Sequence, residues 1–166
     1  MAATASLGMI YLWDINGCSS KISDYLDLKD GWHKAGACIG IGLANSGIWS
    51  DVDPAKAILE EQLESKEESV QMGAIMGLGL AYAGSGRQDL VELISSYLDN
   101  TETSTTISTN TALALGLITV GKMNEDVINS ILGTLMGRTE IQLNESMSKM
   151  YKFSRKILIK IGMVLP

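Results

Sequence analysis

The sequence predicts an all-α fold, an α-solenoid of helix-turn-helix units stacked in two layers, and three observations carry that prediction. Glycines recur at a spacing of 37 residues, so that Gly42, Gly79 and Gly116 fall in register, as do Gly47, Gly84 and Gly121. The segments around them, Ala35 to Gly47 (AGACIGIGLANSG), Met72 to Gly84 (MGAIMGLGLAYAG) and Thr109 to Gly121 (TNTALALGLITVG), keep small or aliphatic residues at equivalent places. Each of these segments alternates with an amphipathic one. Such a period marks an array whose units stack because none buries its apolar face alone, and arrays bind partners along their surface more often than they carry a catalytic cleft.

The elements follow in order. Ser6 to Trp13 (SLGMIYLW) reads as a degenerate small-residue helix, with Gly8 standing 34 residues before Gly42. The amphipathic helices fall near Ser20 to Leu28, Asp53 to Glu64, Arg87 to Leu98 and Asn124 to Met136. In the third of these, Leu90, Leu93, Ile94 and Tyr97 recur at the spacing of one helical stripe, with Asp89 and Glu92 beside it. That helix buries one side, whereas the small-residue helices are apolar nearly all round and form the inner layer.

A mid-helix glycine costs roughly 1 kcal/mol relative to alanine. Keeping two or three per inner helix therefore points to close backbone approach between neighbours. Gly47, Gly84 and Gly121 sit where a left-handed C′ residue would end each inner helix. Asp53 ahead of Pro54 reads as an N-cap followed by proline at the first helical position, and Asn124 as the cap of the last amphipathic helix. Asp99 to Ser108 (DNTETSTTIS) reads as a polar connection, after which the repeat resumes in phase.

Composition narrows the function classes. A content of 46% hydrophobic residues with two prolines fits a folded helical chain and not a disordered one. All 19 acids lie before residue 149, against only eight of the 13 bases, so the body of the chain is acidic. That balance disfavours nucleic acid and favours basic protein surfaces, through steering more than affinity. No segment is long and apolar enough for a membrane span, and the first residues lack the basic region of a signal peptide. Cys18 and Cys38 have neither metal-ligand spacing nor a disulfide framework and read as reduced packing thiols.

Chemistry finds little support. Gly77 to Arg87 (GLGLAYAGSGR) lacks the lysine and hydroxyl ending of a phosphate loop, and its glycines recur in the other repeats. His33 is the sole histidine and no nucleophile motif accompanies it, so it reads as a half-exposed turn residue. Asp51 and Asp53 lack the rest of a calcium loop, which leaves no metal or cofactor expected and no enzyme. The acidic run Glu60 to Glu68 reads as a solvated helix end. Trp32 and Trp49 read either as interface anchors or as turn-packing residues. The Asn144 to Ser146 sequon reads as a chance occurrence.

The 37-residue period, together with the G-x-G pattern of Gly40 to Gly47 and Gly77 to Gly84, resembles the proteasome/cyclosome repeat. That repeat occurs in the two large non-ATPase scaffold subunits of the 26S proteasome regulatory particle and in the largest subunit of the anaphase-promoting complex. Thr4 to Asp14, Asp53 to Ala55, Gly73 to Ser85 and Val120 to Val127 look most like the scaffold that docks ubiquitin receptors.

The resemblance spans residues 1–149, about 3.5 to 4 hairpins. Residues 150–166 form an atypical basic segment, read either as a basic amphipathic helix for an anionic membrane or acidic partner or as an irregular end. What the resemblance implies is an arc of a toroid acting as a non-catalytic docking platform in the cytoplasm and nucleus. Its partners would be other regulatory-particle subunits, ubiquitin, ubiquitin-like domains of shuttle receptors, and a deubiquitinase.

Carried over by position, the first acid of the family's ubiquitin-binding helix falls on Asp126. The positions seven and eleven residues on are Gly133 and Gly137, while Glu125, Asp89 and Glu92 are placed to supply charge to the same edge. The alternative is a purely architectural segment that contacts only other subunits. An isolated array with open ends is expected to self-associate.

Overall fold

The computed structural model describes residues 1–48, 52–99, 103–122 and 124–139. Among them lie eight α-helices and no strand: α1 (Ala2–Ile10), α2 (Ile15–Leu26), α3 (Gly31–Ala44), α4 (Pro54–Leu63), α5 (Glu68–Ala81), α6 (Gln88–Asp99), α7 (Thr105–Ile118) and α8 (Glu125–Gly137). They group into two compact units divided between Tyr82 and Ala83. Trp49, Asp51, the sequon and the basic segment 150–166 lie outside the described residues.

In the first unit α1, α3 and α5 lie side by side, α2 backs onto α3, and α4 onto α5. The inner helices touch backbone to backbone. A Cβ on Gly8 would stand 2.1 Å from the Gly40 carbonyl oxygen, one on Gly42 2.3 Å from that of Gly77, and one on Gly77 2.5 Å from that of Cys38. Since real Cβ contacts lie beyond 3.0 Å, only glycine permits these approaches. Helix α3 therefore carries two small-residue faces. Gly36 and Gly40, four residues apart, receive Thr4 and Gly8 of α1, while Ala35, Cys38 and Gly42 receive Gly73 and Gly77 of α5.

The outer helices key into the same glycines. Ile22 of α2 and Leu59 of α4, themselves 37 residues apart, place their Cδ1 atoms 2.9 and 3.2 Å from where the Cβ atoms of Gly40 and Gly77 would be. Both side chains are fully buried. The notches left by missing side chains thus fix the outer layer as well as the inner. Cys18 and Cys38 are free and buried, and burial pushes their thiols up to about 11 and about 12, so both stay protonated at neutral pH.

In the second unit α6 packs against both α7 and α8, and α7 and α8 also touch. Here the glycine pair gives way to Asn110 and Ala114, in register with Gly36 and Gly40, and the helix is rich in hydroxyls. Most of the buried polar groups of α7 bond within the helix, Thr111 donating to Ile107 O at 2.9 Å, Thr119 to Leu115 O at 2.7 Å and Asn110 to Thr106 O at 2.8 Å, while Ser108 donates to Leu98 O of α6 at 3.4 Å. Gly79 and Gly116, the central register pair, are buried within α5 and α7.

Several boundaries differ from expectation, each for a local reason. Helix α2 begins five residues before Ser20 because Asp14 caps it, accepting from the Gly17 N–H at 3.0 Å. Residues 105–108 belong to α7 and not to the preceding connection, since Ser104 caps that helix at the Ile107 N–H. In α6 the buried face runs through Leu90, Val91, Ile94 and Leu98, leaving Leu93 and Tyr97 half-buried. Asp53 does precede α4, in a left-handed conformation at φ 48°, but its carboxylate makes no cap bond. It accepts instead from the hydroxyl of Tyr82 at the end of α5, tying the two helices of that hairpin together.

Gly47, Gly84 and Gly121 are all left-handed, with φ of 73°, 74° and 76°. They stand one residue beyond the expected C′ position, because Asn45, Tyr82 and Thr119 cap the helices. Each therefore sits within the tight turn that follows, closed in the first and last cases by Ile48 N–H to Asn45 O and Lys122 N–H to Thr119 O. The corresponding place after α1 is held by Trp13, at φ 70°. Trp13 donates its N–H to Ala44 O at 3.0 Å, and its indole to Ser46 O at 3.2 Å.

Opposite signs are expected for two glycine substitutions. Gly42→Ala forces adjacent backbones apart and should destabilise by about 1–3 kcal/mol. Gly133→Ala, in α8 with nothing within 4 Å of the added atom, should stabilise by about 0.5–1 kcal/mol. Urea unfolding midpoints decide it, and a stabilising Gly42→Ala would refute the backbone contact.

Candidate docking surface

The four acids singled out from the sequence lie on α6 and α8, which pack against each other and against α7 in one unit. Two contacts put the starts of α6 and α8 on one edge. Gly84 and Gly86, just before α6, donate their N–H groups to Leu117 O and Ile118 O at the end of α7, both at 2.9 Å. The Lys122 side chain, between α7 and α8, lies against Gly86, with its Cγ 2.7 Å from the site of an added Cβ. Asp89 in the first turn of α6 and Glu125 and Asp126 in the first turn of α8 are thereby gathered at that edge.

Helix α8 is positioned by its cap and its buried side. Asn124 accepts from the Val127 N–H at 3.2 Å, and Val127 and Ile131 are buried. The opposite side exposes Asp126, Asn129, Gly133, Met136 and Gly137. Met136 is 84% exposed, an unusual position for a large apolar side chain. Glycines 133 and 137 have open space where a side chain would stand.

Not all of the acidic charge is available to a partner. Arg87 grips Asp89 with both arms of its fork, Nη2 to Oδ2 at 2.6 Å and Nε to Oδ1 at 3.1 Å. Glu92 accepts from Gln88 at 3.3 Å. Glu125 and Asp126 are exposed and also interact favourably with the positive end of α8. The edge thus carries four carboxylates moderated by Arg87 and Lys122. The sequence alone does not assign either cation to this edge. The Arg87-x-Asp89 spacing at a helix start was the available sign of the first, whereas the second depends on how residues 84–86 meet the end of α7.

No group of three or more histidine, cysteine or acidic side chains among the described residues is placed to hold a metal ion. His33 lies in the first turn of α3, with Nδ1 2.5 Å from the Asp30 carboxylate that also caps the Trp32 N–H. Those two bonds, the backbone one foremost, hold Asp30 below the usual carboxylate range. No described helix is long and apolar enough to cross a membrane.

The model of the proteasome/cyclosome repeat family matches residues 73–107. Across most of its length the chain resembles proteasome subunits. It is 39% identical over 138 residues to the 26S proteasome non-ATPase regulatory subunit 2 of Dictyostelium discoideum, covering 83% of this chain and 16% of that protein. Identity to the 26S proteasome regulatory subunit rpn-1 of Neurospora crassa is 34% over 167 residues, covering 99% of this chain and 18% of that one. To the 26S proteasome non-ATPase regulatory subunit 2 homolog A of Arabidopsis thaliana it is 39% over 148 residues, with 89% and 17% covered. The chain belongs to the proteasome/cyclosome repeat family. It spans less than a fifth of the length of these relatives.

Within that family's repeat, the matched stretch runs from Gly73 of α5 through all of α6 to Ile107 of α7, and so includes Asp89 and Glu92. Stability and docking roles separate on α8. Asn124→Ala removes a cap bond and is expected to cost about 0.5–2 kcal/mol. Asp126→Asn removes only a dipole contact of about 0.3–1 kcal/mol. Thermal unfolding of the two variants tests this order, and an equal or larger loss at Asp126 would give that residue a structural role beyond the helix end.

Proposed function

We propose that this chain is a non-catalytic scaffold segment of the proteasome regulatory particle and a docking platform for ubiquitin, ubiquitin-like domains of shuttle receptors, and a deubiquitinase. The repeat architecture and the relatives' names support membership of the particle. The observation that carries the docking part is the exposed start of α8, where Glu125 and Asp126 share an edge with the start of α6 and its Asp89, Glu92 following one turn on. A partner whose apolar patch is ringed by lysine and arginine fits such an edge, with Met136 further along the same exposed side as an apolar contact. Partial neutralisation by Arg87 and Lys122 suits weak and exchangeable binding, in which charge steers the encounter. In this reading residues 1–149 belong to the platform, and 150–166 are an atypical basic segment. On the same reading the protein works in the cytoplasm and nucleus.

Gly133 and Gly137 favour a second reading, in which the segment is architectural and contacts only other subunits. Two of the three positions carried over from the family's ubiquitin-binding helix have no side chain here. The two readings part in one titration. Isotope-labelled chain mixed with a shuttle-receptor ubiquitin-like domain should show shifts on α8 and α6 that weaken with salt. Shifts that appear only after Gly133→Glu and Gly137→Glu would make the segment architectural.

Self-association of the isolated chain is part of the proposal. Helix α1 and the turn after it leave Met9, Ile10, Leu12 and Trp13 exposed, on a stretch from Met1 to Trp13 without a charged side chain. Light scattering should report a mass that rises with concentration and falls back with Ile10→Glu. A clean monomer at high concentration would count against it.

A further inference from the structure

The turn between α2 and α3 and the first turn of α3 expose two large apolar side chains, Leu28 at 41% and Trp32 at 55%. Repeat packing does not require them. In the next repeat, 37 residues on, the same two places hold Ser65 and Ser69, and in the third they hold Glu102 and Thr106. The capping geometry is independent of the ring as well, because Asp30, Glu67 and Ser104 occupy the N-cap in all three repeats while the residue two beyond varies.

Around this pair the chain collects charge of one sign. Asp24, Asp27 and Asp30 lie on its own segment. Glu64, Glu67 and Glu68 lie on the neighbouring turn, and all six are exposed. The two turns meet directly, since a Cβ on Gly31 would stand 1.8 Å from Glu67 Oε2 and 2.6 Å from Ser69 Oγ. Lys29, Lys34 and Lys66 also lie on these segments, leaving the carboxylates in excess by three.

We infer that Leu28 and Trp32 form a second docking surface, at the repeat edge of the first unit, for a basic protein segment carrying an apolar side chain between lysines or arginines. The indole supplies a flat apolar seat, as buried aromatic anchors do at protein interfaces. The ring of carboxylates meets the flanking cations and sets the orientation. An acidic edge alone would attract any cation. The apolar pair makes the fit selective for a segment that is both basic and apolar. This surface shares no residue with the α6 and α8 edge, so it stands or falls separately from the docking proposed there.

The test labels the indole nitrogens of the whole chain and titrates it with a twelve-residue peptide of alternating arginine and leucine. A glutamate and leucine peptide of the same length serves as control. The Trp32 signal should move with the basic peptide, stay put with the acidic one, and return toward its free position as salt is raised. Trp32→Ser, which installs the residue of the next repeat, should weaken binding about tenfold or more. Asp126→Asn should leave it unchanged. Leu28→Ser gives a second variant should Trp32→Ser unfold. A Trp32 signal that ignores the basic peptide, or moves equally with both, overturns the inference, as does unchanged affinity in the serine variants.

Discussion

Contact between helix backbones, with no side chain between, is the constraint from which the first unit is built. The approach of Gly8 to Gly40 and of Gly42 to Gly77 sets how far apart α1, α3 and α5 lie. It also leaves notches into which Ile22 and Leu59 reach from the outer helices. Close approach gains dispersion contacts along whole helices, and this offsets the conformational cost of glycine in a helix interior. Because α3 must serve two neighbours, its small residues come as two stripes, one for α1 and one for α5.

Such a design frees the rest of the surface for recognition. The inner layer tolerates almost no change in side-chain volume, whereas the first turns of the outer helices and the edge turns contribute little to packing. Acids gather there at modest energetic cost, since helix N-termini favour them. In the second unit the fold then moderates what composition alone would suggest, as Arg87 binds Asp89 and Lys122 crosses the same edge. Net charge describes the encounter with a partner. The local pairing decides how much of that charge a bound partner meets.

The period, the two layers, the cap at Asn124 and the helix start at Pro54 were legible in the sequence, because each rests on local chemistry repeated in phase. What was not legible depended on contacts distant in sequence. The carboxylate of Asp53 was read as a cap, but Tyr82, 29 residues on, claims it. The tight turns that move Gly47 and Gly121 one place beyond C′ need knowledge of where the last helical bond falls, which sequence sets only to within a residue or two. Ser104 hides among threonines and serines that look equally able to cap. The candidate acids were found from position in the repeat, while their neighbouring cations emerged only when residues 84–86 met the end of α7.

Trp13 couples the turn after the first helix to the end of the third. A bulky L-residue at positive φ is strained by roughly 1–2 kcal/mol where glycine is not. Here the strain is held by two hydrogen bonds whose acceptors, Ala44 O and Ser46 O, exist in place only once α3 has formed. The end of α1 closes on its own bonds, Tyr11 N–H to Leu7 O and Asp14 N–H to Tyr11 O. The strained residue beyond it is anchored by α3 and the turn that follows, so loosening the end of the third helix also loosens the turn after the first.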